Sequence, residues 1–328
     1  MAILDVRDLS IDYLAGCGRA LHAVEQVSFC LGHRGSLGLV GESGCGKTTT
    51  MLGLLRLLPA EGHIVSGEVW YDGVDLLGLS ERQMQDYRWK SMAIVFQSAM
   101  NALNPVARIG DQIAEAIVVH EQAGRAKARQ RAGDLLELVG ISARMARQYP
   151  HQYSGGMRQR AMTAMALACS PGVLIADEPT TALDVMIQAQ ILELFRRLQQ
   201  QLDLSIILVT HDLGVVAELC DDVLVLYGGR TVEYAGVDAI FNEPLHPYTQ
   251  RLLRAFPDIE QPTAALAAIP GYPPPLDALP PGCRFQPRCH LADERCAREK
   301  PPLVPVKPGH HVACFRVEEG PNAASATA

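Results

Sequence analysis

Between an apolar pentapeptide, Ser36-Leu37-Gly38-Leu39-Val40, and a helix-prone run lies Gly41-Glu42-Ser43-Gly44-Cys45-Gly46-Lys47-Thr48, which fits the pattern GxxxxGK[ST]. No other stretch constrains the fold as much, because the pattern works only as a turn between a buried strand and a helix. Glycines let backbone N–H groups wrap phosphate oxygens, and the helix N-terminus adds a positive dipole end. Lys47 reaches the β and γ oxygens of a nucleotide, Thr48 is placed for Mg²⁺, and Thr49 continues the first helical turn. A second apolar strand, "VLIADE", puts Asp177 and Glu178 at its carboxyl end, where open α/β sheets bind ligands. Asp177 is expected to support Mg²⁺ and Glu178 to polarise an attacking water.

The rest of the chain agrees with a parallel sheet covered by helices. Residues 3–13 and 21–31 alternate apolar and polar positions around "GCGRA", as in an antiparallel strand pair. Strand-like "GEVWYD" and "SMAIVF" flank a polar helical segment, and helical spacing dominates from about Asn101 to Ala168. The next helix is expected from about Val185 to Leu202, with Ile187, Ile191, Leu194, Phe195, Leu198 and Leu202 on one stripe. "SIILVT", "DVLVLY" and "RTVEYAG" read as strands, with a short helix near "LGVVAELC". From about Val237 prolines crowd the chain, and the tail "GPNAASATA" is expected to be disordered. The apolar runs are far shorter than the ~20 residues of a membrane span. No basic flank and apolar run mark the N-terminus as a secretory signal, so a cytoplasmic location is expected. A net charge of −7 lacks the basic footprint of phosphate-backbone binding, so nucleic acid is not an expected partner.

"YSGGMRQR", from Tyr153 and ahead of "VLIADEPTTALD", narrows the reading. It resembles the signature of the ATP-binding-cassette (ABC) family, and that family's other motifs occur in order over about residues 1–235. Tyr13 matches the aromatic on which adenine stacks, Gln97 in "VFQSAMNALNP" the Q-loop glutamine, Thr181 to Asp184 the D-loop, and His211 in "VTHDL" the switch histidine. The resemblance implies a P-loop NTPase of α/β class. Its parts are a RecA-like parallel-sheet core, an antiparallel β subdomain and a helical subdomain at about 99–168. It also implies two cassettes closing head to tail, so that Ser154, Gly155 and Gly156 of one meet the γ-phosphate held by the other. Lys47, Mg²⁺, Glu178 and His211 would then carry hydrolysis, with Gln97 sensing the γ-phosphate, holding Mg²⁺ beside Thr48 and Asp177, and connecting the helical insert to a partner. Met157 departs from the family, where glutamine is usual, which removes a polar side chain but no backbone contact. Cys45 lies beside a helix N-terminus, a setting that lowers a thiol pKa and would open it to modification that ATP shields; the preferred reading is a small residue tolerated at a variable position.

"FNEPLHPYTQRLLRAFP", "GCRFQPRC" and "HHVAC" resemble the C-terminal region of ATP-binding subunits of dipeptide, oligopeptide and nickel importers, which makes 236–328 a small Cys/Pro-rich extension. His246 before Pro247 is biased to extended backbone and Tyr248 opens a short helix, a packing and linker element. Cys283, Cys289, Cys296 and Cys314 are spaced C-x5-C-x6-C-x17-C. Disulfides are disfavoured in a reducing compartment, and zinc sites usually have close C-x2-C pairs. Some members of the resembled family hold a four-iron cluster on such a set, so a [4Fe-4S] cluster stapling the proline-rich segment is expected, with zinc or no metal as alternatives. Cys17, Cys30, Cys169 and Cys220 read as apolar fillers.

The resemblance implies the ATP-hydrolysing motor of a di-/oligopeptide importer, peripheral to the inner face of the membrane. Its implied partners are two permease subunits, a second related cassette (a heterodimer) or a second copy, and indirectly an extracytoplasmic binding protein. A nickel importer and a soluble ABC ATPase are the alternatives. Against the soluble class, the chain holds one P-loop and one signature with no long insertion. A metal-binding regulator with a dead ATPase site is disfavoured because every catalytic position is filled.

Overall fold

A computed structural model describes residues 2–16, 18–96, 102–181, 183–255 and 269–318. Cys17, Gln97 and the tail from 320 onward lie outside the described residues. In chain order, β1 (Ala2–Leu14), β2 (Ala20–Gly32) and β3 (Ser36–Val40) precede α1 (Lys47–Leu54), and β4 (Gly62–Tyr71), β5 (Val74–Asp75), α2 (Glu81–Tyr87) and β6 (Met92–Val95) follow. Next come α3 (Ile109–Glu121), α4 (Arg125–Leu138), α5 (Gly155–Ala166), β7 (Val173–Asp177), α6 (Val185–Leu202) and β8 (Ser205–Val209). The remainder holds α7 (Leu213–Leu219), β9 (Asp222–Tyr227), β10 (Arg230–Gly236), α8 (Val237–Asn242), α9 (Pro247–Arg254), α10 (Glu294–Arg298), β11 (Val304–Lys307), β12 (His310–Val312) and α11 (Phe315–Glu318).

The chain divides into two compact units. One comprises Met1–Ile3, Leu31–Ser36 and Asp75–Val209. In it β8, β7 and β6 run parallel in that order, with Val173 opposite Met92 on one side and Ser205 on the other. All five residues of β7 and of β8 are buried, which is why both read as continuous apolar runs and not as alternating ones. Helix α6 covers the predicted bounds, and Ile191, Leu194, Phe195 and Leu198 are buried on its inner face. Leu202 corrects the expected stripe: it is 43% exposed, at the last position before the helix ends in left-handed Asp203.

The other unit comprises Leu4–Cys30, Leu37–Val74 and Thr210–Ala328. Strands β2, β1, β4 and β5 form one sheet, in which β1 pairs antiparallel with β4. A second stretch runs β11, β12, β10, β9, β3, parallel only between β9 and β3. The extension thus adds a hairpin, β11–β12, to the edge of β10, with Glu233 opposite Val312. Among the described residues no helix is long and apolar enough to cross a membrane.

Candidate nucleotide site

The phosphate loop lies in the second unit, leaving β3 and entering α1. Gly41 has φ +148°, and a Cβ there would stand 2.2 Å from the Leu226 carbonyl oxygen. Gly46, the N-cap of α1, has φ +101° and would bring a Cβ to 2.8 Å from the Ala23 carbonyl. Both positions therefore require glycine. No side chain caps α1, so the first turn keeps its N–H groups turned to the loop, the arrangement that receives phosphates. Lys47 is buried, and its ammonium donates to Gly41 O at 2.6 Å and Glu42 O at 3.1 Å. The hydroxyls of Tyr13 and Thr49 stand 3.4 Å apart, which sets the ring of Tyr13 beside the first turn. Thr210 donates its N–H to Leu39 O in β3, and the exposed His211 follows directly, ahead of the Asp212 cap of α7.

Cys45 corrects the expectation of a lowered thiol pKa. Its side chain is 2% exposed, and burial pushes the thiol up despite the Lys47 ammonium nearby. Loss of hydration outweighs the helix end here. Cys30 also departs from the filler reading: it is exposed, and its thiol donates to Asp5 Oδ1.

In the first unit Asp177 ends β7, buried to 2% exposure, and Glu178 follows in the left-handed region at φ +46°. A non-glycine residue there carries about 1–2 kcal/mol of local strain. The Glu178 N–H donates to Val209 O at 2.7 Å, and its Oε2 accepts the Thr181 hydroxyl at 3.0 Å. Ser154 is the N-cap of α5: its hydroxyl accepts from the Met157 N–H and still has its own proton to donate. Gly155 and Gly156 open that helix, and a Cβ on Gly156 would meet Ile187 of α6 at 2.7 Å. Asp184 caps α6 by accepting from Ile187 N–H. Val185 and Met186 beside it are 78% and 72% exposed.

The extension packs within the unit that holds the phosphate loop. His246 has extended backbone, and its Nδ1 caps α9 by accepting from Tyr248 N–H; burial pushes its ring down to about 3, so it stays neutral. The Tyr248 side chain is fully buried, and its hydroxyl accepts the Glu42 N–H at 3.0 Å. Tyr248, Tyr227 and Phe285 pack ring on ring, with centroids 4.7 to 5.4 Å apart. Arg288 grips the Glu42 carboxylate with both Nη atoms, at 2.6 and 3.1 Å. Sequence reasoning missed this set of Glu42, Tyr248 and Arg288. The only hint was an acid inside a phosphate loop and an arginine beside a marked cysteine, and no spacing rule joins the two.

Cys283, Cys289, Cys296 and Cys314 line one small cavity with His246, and none of the four is in a disulfide. Burial, and for Cys283 also its three companions, pushes these thiols up, Cys283 to about 11. Among the described residues no group of three or more His, Cys, Asp or Glu could hold a metal ion. Zinc needs its sulfurs at about 2.3 Å from one centre. The four thiols share a cavity, but among the described residues they do not form a metal-ion site. Cysteine thiolates are the ligands that iron–sulfur clusters take, and these four line one cavity.

Comparison with known proteins gives two family matches, "ABC transporter" over residues 24–181 and "Oligopeptide/dipeptide transporter, C-terminal region" over residues 232–296. A probable peptide ABC transporter ATP-binding protein, y4tR of Sinorhizobium fredii, is 48% identical, with 97% of this chain and 96% of that protein covered. The oligopeptide transport ATP-binding protein AppD of Bacillus subtilis is 46% identical, with 97% of each covered. Among solved structures, cbiO1 from Clostridium perfringens, part of the ABC transporter complex cbiONQ, aligns with TM-score 0.64 and 28% identity over 74% of this chain and 91% of that one. The post-hydrolysis dimer of the cassette MJ0796 bound to ADP and Pi aligns with TM-score 0.64 over 71% of this chain and 98% of that one, at 24% identity.

Proposed function

We propose that this chain, which belongs to the ABC transporter family and to its oligopeptide/dipeptide ATP-binding subunits, hydrolyses ATP to drive uptake of di- and oligopeptides. The observation that carries this is one compact unit holding both a phosphate loop and the oligopeptide-type extension. Two ATP-binding proteins of peptide transport that match this chain over 96% and 97% of their own length support it. Residues 1–235 form the cassette and 236–328 the extension.

Lys47 and the loop N–H groups bind the β and γ phosphates, and Tyr13 stacks on adenine. Thr48, Asp177 and Gln97 offer hard oxygen donors of the kind Mg²⁺ takes. Mg²⁺, when bound, neutralises charge on the phosphates. Glu178, held by Thr181, orients and deprotonates the attacking water, and His211 and Gln97 report the γ-phosphate. Ser154, Gly155 and Gly156 complete the site of a second cassette. The chain works as a peripheral subunit on the cytoplasmic face, against two permease subunits, with a related cassette or a second copy as its pair.

Co-purification from detergent-solubilised membranes tests the assignment. Two permease subunits of a peptide importer are expected to accompany the tagged chain; a nickel permease would shift the cargo, and ribosomal proteins in their place would sink the importer reading.

The four cysteines hold an iron–sulfur cluster that staples the extension. Anaerobic purification is expected to yield iron and labile sulfide in matched amounts, both lost together when Cys283 and Cys289 are changed to serine. A wild-type chain free of both contradicts the cluster.

A further inference from the structure

Glu42 is the only acid in the loop Gly41–Thr48, and a negative charge at that place opposes a triphosphate. The structure answers it from the far end of the chain. Arg288 meets the carboxylate as a fork, Nη1 to Oε2 at 2.6 Å and Nη2 to Oε1 at 3.1 Å. Its other bonds lock the guanidinium in place: Nε to Pro270 O at 2.9 Å, Nη1 to the Tyr227 hydroxyl at 3.2 Å and Nη2 to Ile269 O at 3.3 Å. The Arg288 carbonyl in turn accepts from Arg251 at 2.9 Å. The Arg288 side chain is 5% exposed, so its charge is little screened by solvent. Tyr248 holds the same loop residue by its N–H. Both ends of Glu42, main chain and carboxylate, are therefore held by the extension.

We propose that Arg288 is a positioning residue for ATP: it neutralises Glu42 and keeps that carboxylate turned away from the phosphates, so that the extension sets the nucleotide affinity of the loop. Arginine suits this better than lysine, because its planar fork fixes both carboxylate oxygens at once. The inference rests on ATP binding at this loop and is independent of the cargo.

The test is ATP and adenosine affinity of the purified full-length chain, measured by displacement of a fluorescent ATP analogue. Arg288→Ala is expected to weaken ATP binding about tenfold, the effect of one unmasked charge near the phosphates in a medium of intermediate dielectric, and to leave adenosine unchanged. Glu42→Gln alone is expected to tighten ATP binding about threefold, since Arg288 then acts on the phosphates unopposed. The double variant is expected to return to within about threefold of wild type, because removing both charges removes the conflict. A merely structural tether predicts equal losses in both single variants and no recovery. Wild-type ATP affinity in Arg288→Ala, failure of the double variant to recover, or weaker ATP binding in Glu42→Gln overturns the proposal; the last needs no Arg288 variant to fold. A wild-type chain that binds no ATP removes the nucleotide reading and this proposal with it, whereas the variant ratios bear on Arg288 alone.

Discussion

Glu178→Gln is expected to lower ATP turnover of the purified chain by about 10²- to 10⁴-fold, the range that a positioned general base contributes, while ATP affinity stays within about twofold. The substitution is chosen because it changes so little else. Glutamine fills the same volume and keeps an oxygen to accept the Thr181 hydroxyl, which Glu178 Oε2 now receives at 3.0 Å. The backbone bond to Val209 O and the left-handed φ of +46° do not depend on the side-chain charge. What is lost is basicity toward water. Hydrolysis by the variant at the wild-type rate would remove Glu178 from its role. A parallel loss of ATP binding would mean that it serves the ground state and not the reaction.

Glu233→Ala is expected to destabilise the chain by about 3–5 kcal/mol, because it strips a fully buried carboxylate from three donors at once. Oε1 accepts from Leu245 N–H at 2.7 Å and from the His310 ring at 2.8 Å, while Oε2 accepts from His246 N–H at 3.0 Å. Glu233 is 0% exposed and His310 is 3% exposed, so water does not replace the missing acceptor. One side chain on β10 thus ties down both the entry to α9 and the β11–β12 hairpin. Thermal unfolding is expected at about 4–7 °C below wild type for such a loss in a chain of this size. Glu233→Gln, which keeps one acceptor, should fall between the two. A melting temperature within about 2 °C of wild type in Glu233→Ala would show that the extension is held by something else.

Local patterns were legible in the sequence. A buried apolar strand, a glycine-rich turn and a helix occupy adjacent positions from Ser36 to Leu54, so the phosphate loop could be placed from spacing alone. Ser154 and Asp184 stand at the starts of α5 and α6 for the same reason, since a hydroxyl or carboxylate before a helical run is also a cap. Burial and long-range pairing were not legible. Cys45 was read from its helix end, yet its thiol is governed by lost hydration. Glu42 and Arg288 are separated by 246 positions, and only the fold brings them into register. His246 and Tyr248 read as linker, because no local rule shows that β10 offers a buried acid to the first and that the phosphate loop offers an N–H to the second.

The central claim is that ATP hydrolysis at this site drives peptide uptake, and the direct measurement is uptake of labelled di- and oligopeptides, with nickel in parallel, by cells lacking the chain. Peptide uptake is expected to fall, to return with the wild-type chain and to stay low with Glu178→Gln. Unchanged peptide uptake in the deleted cells, or full rescue by Glu178→Gln, would contradict the account.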